Sequence, residues 1–164
     1  MHLTTHLLMA LALMWPLGPP RPEIIRGWEP PAGPYAAGHR GLDLAAPVGS
    51  PVRAAASGVV TFAGRVAGRG VLTITLPGTG EPPLRTTYEP VVPSVTAGTA
   101  VTRGTPVATL EPPPPENAHC PESCLHWGLL RGDAYLNPLL LLREGPSRLL
   151  PVTDQPPPSV VTRS

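Results

Sequence analysis

The chain has 164 residues and a mass of 17.2 kDa, which is room for one domain of ordinary size. Its formal charge is +1 and all twelve of its cationic residues are arginine, so the sequence excludes Schiff-base chemistry, a phosphate-binding lysine and an attached biotin or lipoate. It also lacks the basic excess that typifies nucleic-acid-binding proteins, so nucleic acid is not an expected partner.

Residues 1–18 predict a secretion signal. An uninterrupted apolar run covers residues 7–15 and ends before Pro16. This run is shorter than the roughly 20 residues that a membrane-spanning helix needs, but it suits the apolar core of a signal peptide. We therefore expect an exported chain with no stable membrane span. A short, buried amino-terminal helix is the alternative.

Proline marks the ends of the predicted domain. The chain holds 26 prolines and 17 glycines, a high share, but 41% of its residues are hydrophobic and only 14% are charged, which is not typical of a disordered chain. Prolines cluster in a lead segment at 19–36, which is predicted to be a linker or an arm, in a loop at 112–115, and in a tail at 146–164, predicted to be disordered. Residues 37–145 remain as the folded domain.

Short segments of this domain predict β-strands, because they alternate or are rich in β-branched residues and are bounded by glycine or proline. Seven segments fit this description: Gly41–Ala45 and residues 51–54, 58–63, 71–76, 84–88, 107–110 and 125–130. Residues 139–143 indicate a helical turn. The predicted fold class is all-β, a small antiparallel sheet or sandwich core with proline-rich ends.

Three of the five histidines lie outside the predicted signal: His39, His119 and His126. His39 precedes Asp43 by four residues, so both side chains share one face of an extended segment, and Gly41 between them has no side chain to fill the space. Imidazole and carboxylate are normal zinc ligands, and a catalytic zinc site needs about three of them. His126 is the candidate third ligand, because its apolar neighbours alternate away from it. A hydrogen-bonded His–Asp pair is the alternative.

Four stretches of the domain match one family pattern in order and spacing. They are GHRGLDLAAPVGSPV at 38–52, AAASGVV at 54–60, VTAGTAVTRGTPV at 95–107, and Leu125-His126-Trp127. These stretches resemble the LytM/lysostaphin-type zinc metallopeptidases, and the resemblance extends over residues 35–142. It implies a small antiparallel β core that cleaves peptide bridges of bacterial peptidoglycan, in a secreted or cell-envelope protein. It also implies His39, Asp43 and His126 as ligands of Zn²⁺.

The same resemblance implies two catalytic histidines that this sequence lacks. The histidine that helps to activate the zinc-bound water corresponds to Cys124, and a histidine two residues after a tyrosine corresponds to Pro90. Positioned acid–base groups contribute a factor of about 10² to 10⁴ in rate. We expect His119 to take this catalytic role, with Glu89 and Glu116 as the other candidates. For each of them, a solvated loop residue is the alternative.

The two cysteines of the chain, Cys120 and Cys124, predict a disulfide. Cysteines of exported proteins normally pair, and this pair would hold the loop that precedes His126. Because the closed loop is short, its entropic stabilisation is modest and its role is positional. A zinc knot that combines both cysteines with His119 and His126 is the alternative, although its spacing departs from the usual pattern.

Two functions remain open from the sequence. One is a zinc metalloendopeptidase that acts on peptidoglycan peptides. The other is a catalytically impaired module of the same fold that binds the cell wall or regulates another cell-wall hydrolase. The complete ligand set favours the first, and the missing histidines favour the second. A biotinyl or lipoyl carrier, whose paired V-x-x-G-x-x-V segments are similar, is excluded because the chain has no lysine.

Overall fold

A computed structural model describes residues 14–33, 35–113, 120 and 122–142. Residues 1–13 of the predicted signal, the predicted tail at 146–164 and the loop residues 114–119 lie outside this part of the chain. The loop residues include Glu116 and His119, two candidates for proton transfer, so their roles stay predictions.

Nearly all of the described secondary structure is β, which confirms the predicted fold class. A short 3-10 helix, Pro138–Leu142, lies at the predicted helical turn. The described strands, in chain order, are β1 (Ile24–Arg26), β2 (Gly41–Ala45), β3 (Pro51–Arg53), β4 (Gly58–Val66), β5 (Arg69–Leu76), β6 (Leu84–Glu89), β7 (Val91–Pro93), β8 (Ala100–Val101), β9 (Pro106–Leu110), β10 (Cys124–Arg131) and β11 (Ala134–Leu136).

The strands form two antiparallel sheets. The larger sheet has the order β1-β2-β10-β6-β5-β4-β8, with β11 beside the end of β10, and the smaller sheet has the order β3-β9-β7. All seven predicted segments are strands, with ends that differ by a few residues at most. Strands β1, β7, β8 and β11 are not predicted from the sequence, because each has only two or three residues and no pattern of its own.

One face of the larger sheet lies in the core, and we call it the core face. Along β5 the buried positions alternate, so that Leu72 and Ile74 point inward. Leu42 and Leu44 of β2 and Trp127 of β10 are also buried on this face. Full burial of an aliphatic or aromatic side chain stabilises a fold by about 1.5–3 kcal/mol. The central strands are therefore held mainly by apolar packing on one side.

The smaller sheet contributes to the same core through Val52, Val107 and Leu110. The backbone N–H of Ala55, which follows β3, donates a hydrogen bond of 2.9 Å to the hydroxyl of Tyr88 on β6. Tyr88 is completely buried, and burial raises the pKa of its hydroxyl to about 12. This hydroxyl thus connects the larger sheet to the segment that leaves the smaller one.

The segment that precedes β2 packs onto the domain. The rings of Trp15 and Trp127 meet edge to face with centroids 6.1 Å apart, Leu17 is buried, and the N–H of Arg53 donates to the carbonyl of Pro16 at 2.8 Å. Strand β1, from the predicted lead segment, pairs with β2. The signal boundary at residue 18 stays a prediction. Within the described residues, no helix is long and apolar enough to cross a membrane.

Candidate metal centre

Two adjacent strands bring together Asp43 and His126, which are 83 residues apart in the sequence. Strands β2 and β10 are antiparallel neighbours, and Asp43 lies directly opposite His126 in their ladder. Leu42, Leu44 and Trp127 point into the core, so alternation along the two strands turns Asp43 and His126 to the opposite face. We call this opposite face the site face.

Three donor atoms converge on the site face. His39 Nε2 lies 3.1 Å from Asp43 Oδ1, and His126 Nδ1 lies 2.8 Å from the same oxygen. The two imidazole nitrogens are 3.2 Å apart. His39 is 6% exposed and Asp43 is 1% exposed, whereas His126 is only partly buried. The three ligands expected from the sequence therefore lie in one cluster, which is open to solvent at His126.

A backbone carbonyl of the lead segment orients His39. His39 Nδ1 lies 2.7 Å from the carbonyl oxygen of Gly27, and because a carbonyl only accepts, Nδ1 carries the hydrogen and donates it. The neutral imidazole then presents the lone pair of Nε2 to Asp43 and His126. The backbone of His39 is also held, by reciprocal hydrogen bonds of 2.9 and 3.1 Å with Glu29. The role of Gly27 could not be predicted from the sequence, because it depends on a backbone carbonyl, which every residue has.

The donor set fits zinc. Two imidazole nitrogens and one carboxylate oxygen are common zinc ligands, and three protein ligands with one open position are typical of a catalytic site. Nε2 of His39 carries a lone pair that faces the negatively charged Asp43 carboxylate, so these two groups repel each other. A cation bound between the three donor atoms would remove this repulsion. The alternative is a structural hydrogen bond from Nδ1 of His126 to Asp43, which needs a proton instead of a metal. Metal content distinguishes the two.

Gly41 makes room for the cluster. It lies opposite Gly128 in the ladder of β2 and β10. A Cβ atom added to Gly41 would lie 2.7 Å from Nε2 of His126 and 2.5 Å from the carbonyl oxygen of Trp127. Both distances are well inside van der Waals contact, so a side chain at this position would displace the His126 ring.

A pocket of about 290 Å³ adjoins His126. Its lining includes Arg40, Glu89 and Tyr135. Glu89 lies directly opposite His126 in the ladder of β6 and β10, so the two side chains project to the same face with Cβ atoms about 5 Å apart. The Glu89 carboxylate accepts a hydrogen bond of 2.9 Å from Arg69. The site face therefore has a carboxylate beside the cluster and space next to it.

The two cysteines form a disulfide, which confirms the predicted pairing, and the zinc-knot alternative is wrong. Cys124 begins β10 two residues before His126 and therefore projects from the same face. Both cysteines are 6% exposed, and their sulfur atoms lie within 4.8 Å of a carboxylate oxygen of Asp43. The disulfide is thus a direct neighbour of the cluster.

Known proteins resemble this chain in sequence. Residues 37–138 match peptidase family M23. Uncharacterised proteins of Mycobacterium bovis and Mycobacterium tuberculosis are 42% identical over 147 residues, which cover 87% of this chain and 56% of each relative. The chain therefore spans little more than half the length of these curated relatives.

Solved structures share the fold. The catalytic domain of the antimicrobial peptidase lysostaphin from Staphylococcus simulans superposes with a TM-score of 0.59 and 19% identity, over 74% of this chain and 92% of that domain. A zinc-containing peptidase from Vibrio cholerae superposes with a TM-score of 0.60 and 22% identity, over 74% of this chain and 37% of that protein. At these identities the likeness concerns the fold alone.

Proposed function

This chain belongs to peptidase family M23, and we propose that it is a zinc metalloendopeptidase that cleaves peptide cross-links of bacterial peptidoglycan in the cell envelope. One observation carries the proposal: His39 Nε2, Asp43 Oδ1 and His126 Nδ1 converge to within 3.2 Å of one another beside an open pocket. The choice of metal and reaction is supported by the fold, which is shared with a zinc-containing peptidase and with an antimicrobial peptidase.

In this proposal, His39, Asp43 and His126 are the three protein ligands of one zinc ion per chain. Zinc in such a site polarises a peptide carbonyl and lowers the pKa of a water molecule toward 7. Gly27 keeps His39 in the tautomer that offers Nε2, and Gly41 keeps space for the His126 ring. The pocket beside His126 receives the peptide next to the scissile bond.

Glu89 is the group to which we assign proton transfer. Its carboxylate belongs to the pocket next to His126 and projects from the same face of the sheet. Arg69 holds this carboxylate in place through a hydrogen bond of 2.9 Å. A Glu89 oxygen accepts the proton of the attacking water and returns it to the nitrogen of the leaving amine. His119, the residue expected from the sequence, lies outside the described residues and stays a second prediction.

The alternative function is a module of the same fold that binds the cell wall, or regulates another cell-wall hydrolase, without turnover. One observation favours it: the sulfur of Cys124 is bonded to Cys120, so the residue at the family's histidine position cannot exchange a proton. The other position holds Pro90, which has no titratable side chain.

Zinc content and wall digestion test the proposal together. Purified protein should contain one zinc per chain and should release new amino termini from peptidoglycan. Asp43→Ala should lose both the zinc and the cleavage. Glu89→Gln should keep its zinc but cleave about 10²- to 10⁴-fold more slowly, the usual contribution of a positioned acid–base group. Glu81→Gln, at an exposed bend, should change neither quantity and is the matched control.

Each outcome discriminates between the hypotheses. Wild-type protein without zinc, or zinc that persists in Asp43→Ala, would overturn the metal site. Zinc together with saturable sedimentation on peptidoglycan, and no new amino termini, would establish the wall-binding module. Cleavage that survives in Glu89→Gln but is lost in His119→Ala would transfer the proton-transfer role to His119.

A further inference from the structure

The Cys120–Cys124 disulfide lies against the cluster of His39, Asp43 and His126. Asp43 belongs to two groups of potential metal ligands, one with His39 and His126 and the other with both cysteine sulfurs, and the ligand atoms of each group lie within 4.8 Å of one another. Cys124 and His126 are two residues apart on the same strand and face the same way. Both sulfurs therefore lie close to Asp43, the carboxylate that the two groups share.

The oxidation state of these sulfurs decides whether they bind a metal. In a disulfide each sulfur is bonded to the other, whereas the thiolate is the form that coordinates zinc, at about 2.3 Å. Reduction would create thiols beside a site built from nitrogen and oxygen donors. The number of available protein ligands would then rise without a change of fold.

The backbone of Cys124 is held by contacts that do not involve the disulfide. It pairs with Ala45 in the ladder of β2 and β10. The hydroxyl of the preceding residue, Ser123, donates a hydrogen bond to the carbonyl of Ala46. Cys120 lies before the strand and outside this ladder. Of the two cysteines, Cys124 is therefore the one whose backbone is fixed beside the cluster, so that rotation of its side chain can bring a free sulfur toward the ligands.

We propose that the disulfide is a redox switch for zinc coordination, in which Cys124 becomes a fourth ligand in the reduced chain; this presupposes the zinc site proposed above. In the oxidised chain, three protein ligands leave one position open, as in catalytic sites. In the reduced chain, the Cys124 sulfur fills that position, as in structural sites. The fourth coordination position of zinc is then occupied by Cys124 in a reducing compartment and free for catalysis in an oxidising one.

The switch is a dithiol–disulfide exchange. A dithiol, either a small molecule or a protein, supplies two electrons and two protons and itself becomes a disulfide. The bond between Cys120 and Cys124 breaks, and two thiols form. When the Cys124 sulfur bonds to zinc, its proton passes to solvent. A disulfide oxidant reverses the exchange and reopens the position.

Cobalt(II) substitution of the full chain tests this switch, because a cobalt–thiolate bond gives a near-ultraviolet charge-transfer band that nitrogen and oxygen ligands do not give. One sample is reduced with excess dithiol, desalted without oxygen and loaded with Co²⁺, next to an oxidised sample. We expect the band in the reduced sample and not in the oxidised one. Zinc affinity, measured by competition with a chromophoric chelator, should rise about 10-fold or more on reduction. A hydrogen-bond partner of a metal ligand already changes metal affinity about 10- to 100-fold, and a direct ligand should do at least as much.

Two serine variants separate the roles of the cysteines. Cys120→Ser leaves Cys124 as a thiol and should show the band without reductant, whereas Cys124→Ser should show it under neither condition. The band in Cys124→Ser, or cobalt bound to the reduced wild type without the band, would overturn the switch while leaving the zinc site intact. Absence of bound metal from both the oxidised and the reduced chain would overturn the zinc site itself, and the switch with it.

Discussion

Two adjacent residues of β10 illustrate how differently the two faces of the larger sheet are built. Trp127 points to the core face, where it is completely buried, meets the ring of Trp15 and donates a hydrogen bond from Nε1 to Thr86. His126 points to the site face, where it lies against Asp43 and an open pocket. Because successive residues of a strand alternate, one step along the chain separates the two environments.

The hydrogen bonding of polar groups differs between the two faces. On the core face the polar atoms form a chain in which Trp127 donates to the Thr86 hydroxyl, and that hydroxyl donates to the carbonyl of Gly128. On the site face, two imidazoles converge on one carboxylate, an arrangement that is costly when buried unless a proton or a cation lies within it. If zinc binds as proposed, stability and zinc binding reside on different faces, so substitutions on each should have separable effects.

The largest effect on stability should come from the core face. Trp127→Ala removes a fully buried aromatic side chain, so we expect the free energy of unfolding to fall by about 3–5 kcal/mol in urea denaturation. Val66→Ala, at an exposed position of β4, should change it by about 0.5 kcal/mol or less. Zinc content per folded chain should be unchanged in both. If folded Trp127→Ala loses its zinc, the two faces are not independent.

A smaller loss of stability, joined to a loss of metal, is expected at Gly41. Gly41→Ala places a methyl group against the His126 ring and the Trp127 carbonyl, so it should destabilise the fold by about 1–3 kcal/mol, as overpacking does. Zinc affinity should fall about 10- to 100-fold, the usual cost of disturbing a ligand's surroundings. Gly33→Ala, where nothing lies within 4 Å of an added Cβ, is the control. Unchanged affinity in Gly41→Ala would contradict the importance of the ring position.

The smallest effect at neutral pH is expected for Tyr88→Phe on the core face. The variant loses the hydrogen bond from Ala55, worth about 1 kcal/mol. The pKa of Tyr88 is raised from 10.0 to about 12 by burial. The contribution of this group to the stability of the wild type is therefore fully present below pH 10 and is lost as the pH rises through 12. The wild type should lose up to about 3 kcal/mol more than Tyr88→Phe in this range.

The absence of lysine makes this alkaline range easy to interpret. Since all cationic side chains are arginines, no lysine ammonium group titrates in the alkaline range in which Tyr88 is expected to lose its proton. Tyr35 and Tyr135 are exposed and remain in the variant. Denaturation curves with the same dependence on alkaline pH in both proteins would contradict the burial of Tyr88 in solution.

Strands with a sequence pattern of their own were predictable, including the three-residue β3, whereas the short strands β1, β7, β8 and β11 were not. The buried positions of β5 alternate along its whole length, so its signal is local. By contrast, β1 lies within a proline-rich segment and forms as a partner of β2, and β7 ends at Pro93. Pairing of such short strands depends on what the rest of the fold places next to them, and local propensity does not report it.

Of the three proposed ligands, His39 and Asp43 were predictable as neighbours from local spacing, whereas the place of His126 beside them was expected mainly from the family resemblance. The spacing of His39 and Asp43 is local and already places both side chains on one face of an extended segment. His126 joins them only through the register of β10 against β2, which depends on the whole sheet. Glu89 had a usable signal, because alternation along β6 turns it away from the core. The contribution of Gly27 had none, because every residue has a carbonyl.

The hydrogen bond from His39 to Gly27 couples two equilibria: docking of the leading segment on the sheet and binding of zinc to the cluster. The segment from β1 to Glu29 lies along the edge of the larger sheet and holds His39 in its orientation. If zinc binds more tightly to the oriented His39, then zinc binding must favour docking of the segment by the same factor. A chain whose leading segment is pulled from that edge, by tension or by a competing strand, would therefore bind zinc less tightly at the proposed site.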